Sequence, residues 1–129
     1  MTGVLVNFSG HPLCKEAASI LNERFEKIVN CKPIEFDFSD DVETQISIII
    51  QNIPYKLDGS RPITNIPPGQ ATLAILLVSY LHGILGHFPS LCYLEARADG
   101  LYLPKIEYIM SVQSVRSAGR KWRTAMFAI

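Results

Sequence analysis

The chain is poor in the residues that announce a metal centre, a disulfide frame or a nucleotide triphosphate site. Its three cysteines, Cys14, Cys31 and Cys92, form no CxxC pair, and with three histidines no zinc-type spacing arises. They read as reduced thiols of a cytoplasmic protein, and neither metal nor cofactor is called for. Neither GxGxxG nor GxxxxGK occurs, which removes the motif basis for a dinucleotide or P-loop site. No basic segment precedes an apolar signal core, and the longest apolar run, Ala71–Leu85, is broken by Thr72, Ser79 and His82, so neither secretion nor membrane spanning is expected. Net charge is also lacking, which argues against a protein that coats duplex DNA.

What is present is 129 residues, enough for one domain, with 48% hydrophobic and 19% charged residues. Charge is divided: residues 1–60 hold five Lys/Arg against nine Asp/Glu, and residues 61–129 hold seven against three. Halves of roughly −4 and +4 leave room for a local anion pocket and favour self-association.

Elements follow from periodicity. The run Gly3–Phe8 predicts a first strand closed by Ser-Gly-His-Pro, and apolar residues from Leu13 to Ile28 recur at three and four, which predicts a helix. Residues 32–38 read as a second strand, and Ser39-Asp40-Asp41 as the cap of a helix over Val42–Asn52. Arg61–Ile66 reads as a third strand, followed by a long apolar helix over Gln70–Gly86, with Gly86 as its stop. Two strands, Leu91–Arg97 and Lys105–Met110, flank a turn at Ala98-Asp99-Gly100, and a basic helix over Val112–Trp122 closes the chain. The order β-α-β-α-β-α-β-β-α predicts an α/β fold: a small open sheet, mostly parallel, with helices on both faces. A helix apolar nearly all round, as Gln70–Gly86 is, needs cover from the sheet and from another subunit.

Ligands of such sheets collect beyond the carboxyl ends of the strands. Two glycine-bearing turns fall there, Asn7–Pro12 and Pro67–Gln70, and both offer backbone N–H groups at a helix start. The candidate binding residues are therefore Asn7, Phe8, Ser9, Gly10, His11, Pro12, Pro67, Pro68, Gly69 and Gln70. Gly10 and Gly69 either serve as plain tight turns or permit close approach of a ligand; Ser9 either donates to a phosphate or caps the first helix. His11 either acts as an acid or base near neutral pH or gives a neutral hydrogen bond to a ligand. His82 and His87, five apart and without a companion Glu, lack the spacing of a zinc pair and read as structural. Arg116, Arg120 and Arg123 share a helical face beside Trp122, either a solvated basic face or a site for phosphate and base; Arg116 joins the candidate binding residues. No defensible Ser-His-Asp order, paired carboxylates or activated cysteine is present.

Three segments, "NFSGHPL" at Asn7–Leu13, "PPG" at Pro67–Gly69 leading to "LHGILGHFP" at Leu81–Pro89, and "VQSVR" at Val112–Arg116, resemble the small CRISPR-associated Csx-fifteen family of type III systems. In that family's pattern Ser runs directly into His-Pro, so Gly10 is a departure that leaves the placement of His11 open. The resemblance implies a Rossmann-like (CARF-like) homodimer that binds cyclic oligoadenylate, cyclic tetra-adenylate in the first instance. A twofold dimer matches the symmetry of that ring, and a ligand held between dimers would build a higher assembly. Two activities follow: sequestration of the messenger, or metal-independent ring cleavage to linear di-adenylate by an in-line ribose 2′-hydroxyl, with His11 and Ser9 assisting.

Overall fold

A computed structural model describes residues 3–105 and 109–127. Its elements run β1 (Val4–Asn7), α1 (Lys15–Asn22), β2 (Lys27–Asn30), α2 (Val42–Gln51), β3 (Ile63–Ile66), α3 (Ala71–Leu85), β4 (Ser90–Leu91), β5 (Leu94–Ala96), β6 (Tyr102–Pro104), β7 (Met110–Ser111) and α4 (Val112–Phe127). Five strands form one sheet in the order β2-β1-β3-β4-β7, parallel except for the β4–β7 pair; β5 and β6 form a separate antiparallel hairpin. A mixed α/β chain with this mostly parallel sheet is compatible with a small Rossmann-like fold.

The order places β1 between β2 and β3, and its alternation divides the core. Val4, Val6 and Phe8 point to one face, where Ile46 and Ile53 of the α2 region and Leu77, Leu81 and Leu85 of α3 cover them. Leu5 points to the other, against Leu21, Phe25, Ile66 and Cys92. Helices therefore lie on both faces, because the first crossover leaves β1 toward β2 and the next returns past it to β3. Each fully buried leucine or phenylalanine contributes about 1.5–3 kcal/mol, and the two clusters fix the sheet between its layers.

The long apolar segment forms α3, with Leu73, Leu77, Leu81 and Leu85 buried at intervals of four and Gly86 in the left-handed conformation at its end. His82 stacks on Phe88, with ring centroids 4.1 Å apart, and His87 lies exposed beyond the cap.

Several expected boundaries are corrected. α1 ends at Asn22 instead of Ile28, and β2 takes Lys27–Asn30, the very residues whose Ile28 had continued the helical period. Pairing of Val29 with Val6 in the sheet outweighs that weak local signal. Residues 32–38 form no strand: Pro33 lacks a ladder donor, and Ile34 and Phe36 instead fold over the α2–α3 side of the core. The segment expected as one strand over Leu91–Arg97 is split between β4 and β5, and the turn near Gly100 joins β5 to β6. Of the strand expected over Lys105–Met110, residues 106–108 lie outside the described residues, Lys105 is not in a strand and Met110 begins β7.

Candidate functional site

The loops that leave β1 and β3 meet because those strands are neighbours, with Asn7 opposite Ile66. The Phe8 amide donates to the Ile66 carbonyl at 2.9 Å, so pairing continues to the point where the two chains diverge. Their helices lie on opposite faces, and a cleft opens between them at the carboxyl edge, where ligands of such sheets bind.

Asn7 shapes the first wall. It is 1% exposed, and its side-chain Nδ2 donates to the His11 carbonyl and to Asn30 Oδ1, both at 3.0 Å. Its Oδ1 accepts from the Ser9 amide at 3.0 Å and from Ser9 Oγ at 2.6 Å. The Ser9 hydroxyl oxygen in turn accepts from the His11 amide at 3.2 Å. One buried amide thus folds Ser9–His11 into a closed loop. Gly10 completes the bend with φ of +77°, and a Cβ there would stand 2.9 Å from Pro33 Cα. Gly10 is therefore required by both conformation and space.

The second wall is Pro67, Pro68 and Gly69, running into α3. Gln70 caps that helix, its Oε1 accepting from the Leu73 amide at 2.7 Å. Gly69 has no positive φ and a Cβ would meet nothing within 4 Å, so glycine here leaves the rim open.

A cavity of about 770 Å³ lies between the walls. It is lined by Ser9, His11 and Pro12 from the first loop, by Pro67, Pro68 and Gly69 from the second, and by Tyr93, Leu101 and Tyr102 from the β5–β6 region. The hairpin is fastened over α1: Cys14 Sγ contacts the Tyr102 carbonyl at 3.7 Å, and Arg97 bridges Glu16 at 2.9 Å and Asp99 at 2.6 Å. Tyr93 and Tyr102 remain 55% and 58% exposed. Among the lining residues there is no Lys, Arg, Asp or Glu; the Ser9 and His11 amides are bonded within their loop and Pro12, Pro67 and Pro68 have none, so attraction for an anion is left to Gly69 and the helix starts.

The structure brings together six of the residues singled out from the sequence: Ser9, His11, Pro12, Pro67, Pro68 and Gly69. Asn7 acts behind them, and Gly10 sets the bend. Phe8 does not reach the cavity, since alternation turns its ring into the core at 1% exposure. Gln70 is occupied as a cap, and Arg116 lies on exposed α4 outside the lining. Ser9 does not cap α1; Cys14 does, accepting from the Ala17 amide at 3.5 Å. Tyr93 and Tyr102 escaped the sequence reading. An exposed tyrosine carries little local signal, and only the hairpin's return over α1 brings them to the rim.

The thiols offer no nucleophile at depth. Burial pushes both Cys31 and Cys92 up to about 11, which keeps them protonated at neutral pH. No group of three or more His, Cys, Asp or Glu among the described residues is arranged to hold a metal ion. No helix among them is long and apolar enough to cross a membrane.

Comparison with family models, curated proteins and solved structures returned no match.

Proposed function

We propose that the cleft between the β1 and β3 loops binds a cyclic oligoadenylate, cyclic tetra-adenylate in the first instance, and holds it intact, damping type III CRISPR signalling. The observation that carries this reading is the joining of two open backbone bends with two exposed tyrosine rings around one cavity. The Ser9 and His11 amides are held within the first loop and Pro12, Pro67 and Pro68 carry no N–H, so phosphates fall to Gly69 and the start of α3, while tyrosine faces suit adenine rings, each stacked base being worth roughly 1–3 kcal/mol. The motif likeness at Asn7–Leu13, Pro67–Gly69 and Leu81–Pro89 supplies the chemical identity of the ligand.

Binding is favoured over cleavage by the state of the polar groups. Ser9 Oγ is engaged with Asn7 and with the His11 amide, and the exposed His11 ring has no carboxylate partner among the described residues to orient it. Proton transfer needs a positioned acid or base, whereas retention needs only the rim. Sequestration at low messenger levels demands roughly nanomolar affinity, about −12 kcal/mol.

Incubation with radiolabelled cyclic tetra-adenylate tests the reading. Intact ligand co-eluting with protein is expected. Linear di-adenylate formed over many turnovers would replace sequestration by ring cleavage, and absence of binding at micromolar concentrations would reject the ligand class.

A further inference from the structure

α4 is the one long helix of the described chain with no buried residue. Val112, Val115, Gly119, Trp122 and Met126 recur at alternating intervals of three and four, a continuous seam of the kind that packs against other helices. Val115, Trp122 and Met126 are 69%, 65% and 58% exposed. Arg116, Arg120, Lys121 and Arg123 lie along the same helix, which has no acid, and none of the four forms an ion pair among the described residues. An isolated helix of this length is marginal in water and gains stability by docking its apolar side.

A surface of matching character exists on the same molecule. The outer side of α3 exposes Ile75, Ser79 and Gly83 at intervals of four, and α2 beside it exposes Ile48. Neither helix contains Lys or Arg, while the start of α2 carries Asp40, Asp41 and Glu43, all exposed. One surface thus carries two exposed isoleucines among small residues with an acidic end, and the other is an apolar seam with a basic flank.

We propose that α4 is an exchange arm that docks on the α2–α3 layer of a second copy of this chain, each copy giving one arm and receiving the other in a closed twofold dimer. Ser79 and Gly83 allow close approach of the incoming helix, Trp122 supplies the large buried anchor, and the cations of α4 meet Asp40, Asp41 and Glu43. The charges of this contact fall on the two sides of the chain's division, Asp40, Asp41 and Glu43 in the acidic first half and the α4 cations in the basic second. Because the contact does not involve the cleft, it is independent of the ligand reading.

The full-length chain without ligand, followed by sedimentation and light scattering, tests this. Wild type is expected to be dimeric, weakening at high salt. Trp122→Glu and Ile75→Arg, both on exposed positions, are each expected to raise the dissociation constant roughly a hundredfold, leaving a monomer whose helical circular dichroism falls by no more than the 16 residues of α4 account for. An equimolar mixture of the two variants is expected to recover part of the dimer, because one of its two arm contacts then joins unaltered surfaces while the other sets the introduced carboxylate against the introduced guanidinium. A monomeric wild type, growth beyond the dimer, or a mixture that stays monomeric would overturn the proposal. So would a monomer whose α4 binds phosphatidylglycerol vesicles or single-stranded RNA with loss on Trp122→Glu, since the arm would then serve a lipid or nucleic acid.

Discussion

Replacing Asn7 tests whether one buried amide organises the rim. Asn7→Ala removes four hydrogen bonds, two donated by Nδ2 and two accepted by Oδ1, at a site 1% exposed. At a net value near 1 kcal/mol each, the loss is about 3–4 kcal/mol, a large part of the roughly 5–15 kcal/mol that holds a domain of this size. With ~3 °C of melting temperature per kcal/mol, the transition falls by about 10 °C. Asn7→Asp separates the two halves of the network. It keeps the acceptor facing Ser9 but sets a carboxylate oxygen against the His11 carbonyl and Asn30 Oδ1. Asn30 can turn its amide to donate; the carbonyl cannot. The introduced carboxyl is therefore protonated more readily in the folded state, its folded pKa rising above the unfolded one. The variant is steadiest below the ordinary Asp range and loses stability as pH rises through the raised value. Urea unfolding of the three proteins at several pH values measures this. Variants that unfold within about 1 kcal/mol of wild type at neutral pH would refute the assignment of Asn7 as the organiser.

Gly10→Ala is expected to cost about 1–3 kcal/mol, because both the left-handed backbone and the 2.9 Å approach to Pro33 oppose a Cβ; an unchanged melting curve would show that the loop relaxes freely. Tyr93→Ala and Tyr102→Ala are each expected to weaken oligoadenylate binding by roughly 5- to 150-fold without lowering the melting temperature, and calorimetry on the pair decides whether the rings stack on bases. Asp41 sits below the usual carboxylate range because the Thr44 backbone N–H, and then its hydroxyl, bond its oxygens. Its contribution is full above the ordinary Asp pKa of about 4 and is lost as pH falls through the lower folded value, so acid unfolding of Asp41→Asn should depend less steeply on pH. Alkylation at pH 8 should spare Cys92 until the chain unfolds, and early labelling there would contradict its burial.

How much was legible depended on the range of the interaction. β1 was readable because Val4–Phe8 is a dense β-branched and aromatic run closed by Ser-Gly-His-Pro, and α3 because its length exceeds any ordinary strand and Gly86 can adopt φ of +77°. The cap of α2 at Asp41 was equally local. β2 was misplaced because Phe25 and Ile28 fit a helical period, and only the pairing of Lys27–Asn30 with β1 decides the matter. The stretch 32–38 alternates like a strand, yet Pro33 and the fold of Phe36 against Phe38 keep it outside the sheet.

The same division runs through the candidate site. Local chemistry in the sequence determined that Asn7–Pro12 and Pro67–Gln70 would be turns at the ends of strands, that no metal-ligand spacing exists, and that the last helix is basic and amphipathic. Tertiary structure decided that Phe8 is core, that Gln70 is a cap and Arg116 lies away from the cleft, and that Tyr93 and Tyr102 stand over it. Turn chemistry and periodicity are properties of a few neighbouring residues. The meeting of Ser9, Gly69 and Tyr102 depends on strand order and on a hairpin folded back across α1, which are settled by burial and pairing between residues far apart in the chain.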